Sequence, residues 1–365
     1  MRILYLTETM GWSGGAQQTL LMAQGLRAKG HDLTVVCQPD SEMAERARQA
    51  GLRLDFVRMR QDYDVPAAVA VARIVSARRS EILHAQHPTA HAVGLLAVAW
   101  NRRPAFAVTR RVTFPLKKNF FSRLKYLSKR IDGYVAVSAA VQEELVRGGV
   151  ARSRIELIAS VADDRARPRS EGAALRQELG LTPDPLILNV GNYADFKGQD
   201  ILLEAAVQVC RQHPKAQFLF AGRDTEKMQP NVARLGLGRS VRLAGFRTDV
   251  PRLLAAADLF VMPSLQEAAG TALREAGFAA LPCVGTRVGG IPEMIEEGRT
   301  GLLVPPGDAG ALAAAILRLL HDREEGVRLG QAARAFCRER FSLAAAVPKM
   351  EAFYKRIGRA AALRS

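Results

Sequence analysis

The stretch FVMPSLQEAAGTALREAGFAALPCVGTRVGGIPEMI, residues 260–295, decides how the chain is read. An apolar run at 259–262 breaks at Pro263 into a short polar loop, and a helical pattern follows over 270–280. A second apolar run at 282–284 comes next, then a glycine pair at Gly289 and Gly290. Short β-branched runs alternating with amphipathic helices are the signature of parallel sheets wrapped by helices.

The same alternation extends in both directions. Runs at 186–190, 217–221, 241–243 and 301–304 complete one strand series. An earlier series lies at 2–6, 33–37, 53–57, 82–86, 106–109, 134–137 and 155–158, with helical stretches such as 17–29 and 139–147 between its members. The expected fold class is α/β, two Rossmann-like doubly wound domains facing across a cleft, with ligand outside the carboxyl ends of the strands. The first domain is expected over 1–165, a linker rich in Asp, Arg, Pro and Glu over 166–184, and the second domain over 185–340. From Asp308 the tail reads as two or three helices with no strand after Val304, and its last part, 341–365, is a helix able to cross back to the first domain.

Composition narrows the class. With 365 residues, 48% hydrophobic and 24% charged, the chain is a folded protein rather than a disordered one. Cys37, Cys210, Cys283 and Cys337 are too scattered for a zinc cluster, a redox pair or a disulfide framework, which points to a reducing, cytoplasmic compartment. The opening MRILYLTETM reads as a buried strand rather than a secretory signal, and the longest clearly apolar stretch, 92–100, falls short of the ~20 residues that span a bilayer.

Charge is unevenly spread. Residues 1–165 carry a net +10 of the chain's +16. Residues 102–130 hold ten basic side chains and no acid, interleaved with Phe114, Leu116, Phe120, Phe121, Leu124 and Tyr126. Such a mixture suits peripheral attachment to an anionic inner-membrane surface, at ~1 kcal/mol per basic residue. It equally suits a solvated basic face whose aromatics are core. A nucleic-acid partner is not expected, because no helix-turn-helix, zinc finger or RNP signature accompanies the charge.

Glu267 precedes the 270–280 helix and Glu275 lies within it. Eight residues apart, at 1.5 Å rise per residue, they stand up to ~12 Å apart along the axis and cannot share a proton. They can attend opposite ends of one elongated ligand, with the free amides of Gly270, Thr271 and Ala272 facing an anion between them. A sugar, a diphosphate and a ribose in line match that order. The spacing alone fits equally a capped surface helix with two glutamates.

The neighbourhood adds what the spacing lacks: PS before the first Glu, EA at the second, then LPCVGTRVGGIPEMI and TGLLVPPGD in order. With these motifs the chain resembles the retaining glycosyltransferases of family 4, the GT-B group also called glycosyltransferase group 1, over nearly its whole length. The resemblance implies two Rossmann-like domains, the second binding a nucleotide-sugar and the first an acceptor, with no metal and no cofactor. It implies that Glu275 holds the donor ribose and that Glu267 sits by the transferred sugar. Ala268, Ala269 and Gly270 stand where the family has Gly-Phe-Gly, which keeps the backbone, drops the aromatic ring, and bears on sugar specificity rather than on fold.

Other stations follow from the same resemblance. Lys197, in NVGNYADFKGQDILLEA at 189–205, is placed to reach a phosphate, and Asn192 occupies a position where relatives usually carry arginine. Arg223 in AGRD can compensate. Gly14 and Gly15 match the family's paired glycines, Gly15 toward the donor phosphates and Gly14 toward the acceptor. They lie in a loop lacking the G-x-G-x-x-G fingerprint of dinucleotide sites. His87, after His84 and before His91, is expected to hydrogen bond the acceptor; no carboxylate or cysteine completes a metal site there. Arg110 and Arg111 in VTRRVTF join it, with Arg111 where many relatives carry histidine; arginine stays protonated and cannot be a general base. The catalytic set is thus Glu267, Lys197 and Arg111, and the donor set adds Ala269, Gly270, Thr271, Ala272 and Glu275. The Asp62-Tyr63-Asp64 triplet, similar to the metal signature of the GT-A class, reads as a loop.

The expected reaction moves a sugar onto a cell-envelope glycan or glycolipid, as in lipopolysaccharide or related polysaccharide assembly, with retained anomeric configuration. Two alternatives share these features: a nucleotide-sugar epimerase of the same architecture, and a non-catalytic basic binding protein.

Overall fold

The computed structural model describes residues 1–101, 103–116, 120–162 and 168–362. They form two α/β units, Met1–Val161 with Leu343–Ser365, and Ala162–Ser342.

The first unit carries strands β1 (Arg2–Leu6), β2 (Asp32–Cys37), β3 (Arg53–Phe56), β4 (Ile82–Ala85), β5 (Ala105–Arg110), β6 (Gly133–Ala136) and β7 (Ile155–Leu157). They pair in parallel in the order β3-β2-β1-β4-β5-β6-β7. Between them run α1 (Gly14–Ala28), α2 (Glu42–Gln49), α3 (Val65–Ala77), α4 (Pro88–Trp100), α5 (Phe120–Leu127) and α6 (Ala139–Arg147). Ser13, Ser41, Asp64 and Ser138 each accept a backbone N–H at the start of α1, α2, α3 and α6, a cap contributing about 1 kcal/mol apiece. The Asp-Tyr-Asp triplet is therefore structural: Asp64 caps α3, and Asp62 pairs with Lys125 Nζ at 2.6 Å.

The second unit carries α7 (Arg169–Glu178), β8 (Leu186–Val190), α8 (Gln199–Gln212), β9 (Gln217–Ala221), α9 (Gln229–Arg234), β10 (Val241–Leu243), α10 (Val250–Ala256) and β11 (Leu259–Met262). It continues with α11 (Thr271–Phe278), β12 (Cys283–Thr286), β13 (Leu302–Val304), α12 (Ala309–His321) and α13 (Arg323–Phe341). Its sheet is also parallel, in the order β10-β9-β8-β11-β12-β13. Each sheet reverses strand order once, at β1/β4 and at β8/β11, and crevices for ligands open at such switch points.

The stretch 166–184 is more than a linker. Its α7 packs on α10, and Arg176 bonds the Ala256 carbonyl at 2.9 Å and Asp258 Oδ2 at 2.7 Å. Glu178 pairs with Arg247 at 2.9 Å, so charged side chains of this stretch hold it to the second unit.

The final helix, α14 (Leu343–Ala362), belongs to the first unit, where Met350, Phe353, Tyr354 and Ile357 join the core formed by Ile3, Tyr5, Leu33 and Val35. A buried polar chain stitches it in: the Tyr354 hydroxyl donates to the Tyr5 hydroxyl at 3.1 Å and meets His84 Nδ1 at 2.6 Å, while His84 Nε2 meets Thr109 Oγ1 at 2.7 Å.

The basic segment is not one solvated face. Lys125 is 7% exposed and committed to Asp62, and Arg110 is 6% exposed. Phe114 and Leu124 are exposed, as are Arg103 and Lys129. Arg102, Lys117 and Lys118 lie outside the described residues.

Candidate functional site

In the second unit the site grows from the loops that follow β8 and β11. The chain leaves β8 into a 3-10 turn at Asp195–Lys197, and the N–H groups of Leu265 and Gln266 both donate to the Phe196 carbonyl, at 2.8 and 3.1 Å. That stitch sets Lys197 beside Glu267, and Nζ reaches Oε2 at 2.6 Å. The other carboxylate oxygen accepts the N–H groups of Ala268, Ala269 and Gly270 at 3.1, 3.3 and 3.1 Å.

One carboxylate thus gathers a cation and three backbone amides. Burial works to raise the Glu267 carboxyl, but the Lys197 ammonium and the Gly270 and Ala269 amides outweigh it and hold it below the usual carboxylate range. The Gly270 amide, expected to face an anion, is therefore filled from within the chain. Glu267, read as an independent end of the site, caps its own loop, because a half-buried carboxylate needs donors and the following amides are the nearest.

The loop is fixed from behind by the glycine pair. Gly289 adopts φ +51°, where L side chains are strained, and a Cβ there would overlap the Glu267 carbonyl, which accepts the Gly290 N–H at 3.0 Å. Gly270, in the left-handed region at φ +47°, opens α11 without a side-chain cap, so the first turn presents N–H groups lacking intrahelical acceptors. Thr271, Ala272 and Glu275 are half-buried, and helical spacing sets Glu275 one turn above the first two.

Asn192 and Arg223 are neighbours at the ends of β8 and β9. Asn192 Oδ1 accepts the Arg223 N–H at 3.1 Å, and the Arg223 guanidinium lies 4.5 Å from the centroid of the Phe246 ring. The guanidinium is thereby held against a flat apolar surface.

In the first unit a second cluster forms at the carboxyl ends of β1, β4 and β5. Gly15 lies so near His87 and Arg111 that a Cβ would stand 2.9 Å from His87 Nε2 and 3.3 Å from Arg111 Cδ. Gly14 precedes it as the first residue of α1. His87 Nδ1 bonds Thr7 Oγ1 at 2.9 Å, and Arg111 donates to Gln86 Oε1 at 2.7 Å. Burial, aided by the Arg111 charge, draws the His87 imidazole down to about 3, so it is neutral at physiological pH and works as a hydrogen-bonding group.

Arg110 leaves the expected acceptor set. Consecutive residues at a strand end point to opposite faces, and its guanidinium turns to the Tyr126 hydroxyl and the Phe114 carbonyl. His84 and His91, which flank His87 in sequence, lie apart from this cluster: the first is sealed in the Tyr354 network, and the second lies edge-on to Tyr126 with ring centroids 4.9 Å apart. Sequence reading missed Glu8, whose carboxylate accepts the N–H groups of Thr89 and Ala90, both at 3.0 Å, and so caps α4. Its signal was available only in part: Pro88 marks a helix start, and His87 supplies no side-chain cap.

These two clusters suit complementary chemistry. The second unit offers fixed cations, helix-end amides and carboxylates for a charged, hydroxyl-rich molecule. The first offers neutral and cationic hydrogen-bond donors.

Comparison with known proteins places both units. The profile described as Glycosyl transferases group 1 matches residues 184–322, and the profile described as Glycosyltransferase Family 4 matches residues 12–164. Alpha-D-kanosaminyltransferase of Streptomyces kanamyceticus is 30% identical over 258 residues, 68% of this chain, and the match spans 66% of that relative's length. The lipopolysaccharide core biosynthesis glycosyltransferase LpsE of Rhizobium meliloti is 25% identical over 88% of this chain and 90% of its own. The crystal structure of Anabaena HepE in complex with UDP-glucose superposes with a TM-score of 0.86 at 22% identity, covering 98% of this chain and 100% of that one.

Proposed function

Because this chain belongs to the group 1, family 4 glycosyltransferases, we propose that it moves a sugar from a nucleotide-sugar to a hydroxyl of a cell-envelope glycan or glycolipid, with retention and without a metal ion. The observation that carries this reading is the Lys197–Glu267 pair at 2.6 Å, set beside the uncapped start of α11. Lys197 takes the donor diphosphate and exchanges its internal partner for a ligand anion. Glu267 and the amides it caps turn to sugar hydroxyls, Glu275 takes the ribose, and Arg223 replaces the cation missing at Asn192. Negative charge developing on the leaving diphosphate meets Lys197 and the amides of Thr271 and Ala272, preorganised donors of the kind that lower a barrier most. The acceptor lies by Gly14, His87 and Arg111, with Gly15 toward the donor phosphates and Arg111 supplying charge rather than general base catalysis. Likeness to LpsE supports an envelope glycan as acceptor.

A thermal-shift panel of UDP, GDP and ADP with their sugars tests the donor. The matching nucleotide raises the melting temperature in wild type and much less in Glu275→Ala, because tight binding stabilises the native state by mass action. Product NMR then shows a retained anomeric configuration, unchanged by EDTA. Inversion, EDTA-sensitive turnover, or epimerised donor in the absence of acceptor each refutes the corresponding part.

The same proposal places the protein peripherally on the cytoplasmic face of the membrane, through what remains of the 102–130 segment. Arg103, Lys129, Phe114 and Leu124 are exposed there. Changing Arg103, Lys117, Lys118, Arg123 and Lys129 to Gln is expected to weaken sedimentation with anionic phospholipid vesicles at least tenfold, given ~1 kcal/mol per basic residue. Equal sedimentation of variant and wild type leaves only a solvated face.

A further inference from the structure

Past their last paired residues, Val190 and Ala221, the chains leaving β8 and β9 stay bonded to each other. The Gly191 N–H donates to the Ala221 carbonyl and the Tyr193 N–H to the Arg223 carbonyl, both at 2.9 Å. The rung between them is made by a side chain: Asn192 Oδ1 accepts the Arg223 N–H at 3.1 Å. The asparagine amide stands in for a peptide carbonyl, as short polar side chains do where regular pairing ends. A lysine or arginine at 192 could not make this bond, since neither carries an acceptor.

Asn192 is itself held in place. Gln199, 1% exposed at the start of α8, donates Nε2 to the Gly191 and Asn192 carbonyls, each at 3.2 Å. The Tyr193 hydroxyl donates to Asp200 Oδ2 at 2.8 Å, and Asn231 Nδ2 donates to the other carboxylate oxygen at 2.8 Å. From the β9 side, a Cβ on Gly222 would stand 2.1 Å from the Gly191 oxygen and 2.8 Å from the Asn192 nitrogen, so only glycine lets the two loops lie this close. The Gly222 N–H donates to the Gly245 carbonyl at 2.8 Å, which ties in the β10 loop and with it Phe246.

Arg223 is thus fixed at its main-chain N–H and C=O while its side chain is exposed, and its guanidinium rests against a Phe246 ring that is itself 44% exposed. Such anchoring removes conformational freedom before a ligand arrives, which is how preorganisation strengthens binding. We propose that Asn192 is the positioning residue for Arg223, its side-chain oxygen fixing the turn after β9 so that the guanidinium stands ready for the donor diphosphate. It touches no substrate. The cation comes from the strand beside the one that leads to Lys197. The identity of the ligand rests on the glycosyltransferase reading; the rung does not.

A double-mutant cycle reads the coupling. Binding of UDP, GDP and ADP is measured by calorimetry, and whichever of them the wild type binds is the probe. Arg223→Gln keeps the backbone N–H and removes the charge, and should bind about tenfold more weakly. Asn192→Ala keeps the charge and removes the rung, and should bind about fivefold more weakly. The double variant should bind no more weakly than Arg223→Gln alone, because a rung that acts through Arg223 has nothing left to place. Equal losses from Asn192→Ala with and without the Arg223 guanidinium make Asn192 a general support of the loop and overturn the proposal. Wild-type binding by either single variant overturns it too. Should Asn192→Ala not fold, Asn192→Gly carries the same cycle, and unfolding of both makes Asn192 a structural residue and overturns the proposal as well. A wild type that binds none of the three nucleotides retires the sugar-transfer reading and the proposal together, whereas binding with additive losses removes the proposal alone.

Discussion

Lys197→Ala is expected to lower kcat/KM for sugar transfer by about 10²–10³, the usual consequence of removing one donor aimed at developing charge. Two effects act together. The diphosphate loses a charge-assisted bond of ~1.5–3 kcal/mol. The Glu267 carboxylate, only 11% exposed, loses its cation and keeps the three amides. Those amides keep the loop in place, so the variant stays folded and circular dichroism should match wild type. The pH dependence has a definite sign. The Glu267 carboxyl is held below its ordinary value in the folded state, so its contribution to stability is present above about pH 4.3 and is lost as pH falls through the lower folded value. The stability difference between wild type and Lys197→Ala should therefore be constant near neutrality and close below about pH 4. Wild-type turnover by the purified variant would remove Lys197 from the site.

Gly289→Ala is expected to be nearly as damaging although Gly289 touches no ligand. The added Cβ would occupy the space of the Glu267 carbonyl, and the φ of +51° already strains any L residue. The strain costs of order 1–3 kcal/mol, and the Glu267 loop must shift to relieve the overlap. A shift near 1 Å at a positioning loop lowers turnover by about 10²-fold. Gly298→Ala is the control: Gly298 has φ +71° with nothing within 4 Å of a Cβ, so it suffers the strain without the overlap. It should lower the melting temperature and leave kcat/KM near wild type. Equal activity loss in both variants would make the Gly289 effect one of general destabilisation.

Much of the second unit's site could be read along the chain because its cues are local. Pro263 after an apolar run, the eight-residue step from Glu267 to Glu275, and the glycine pair at Gly289 and Gly290 each report a turn or a helix phase. The sidedness of VTRRVTF was less legible. Arg110 and Arg111 are chemically alike, and only the register of β5 against β4 and β6 decides which one turns toward Gln86 and which toward Tyr126. At 166–184 and over 102–130 composition displayed the charges without their partners. A run of charges looks solvated until its partners arrive from elsewhere, as Asp258 does for Arg176 and Asp62 for Lys125.

What the sequence determined alone is therefore the alternation of strands and helices, the parallel α/β class and the motifs placed at strand ends, since period, caps and turn residues act over a few positions. Only the tertiary structure decided which polar groups meet. Lys197 and Glu267 lie 70 positions apart and His84 and Tyr354 lie 270 apart, and Arg274 became a buried cation only once α13 closed over α11. The energy of a charge or a hydrogen bond depends on burial and on a partner's distance, and neither exists until the chain has folded.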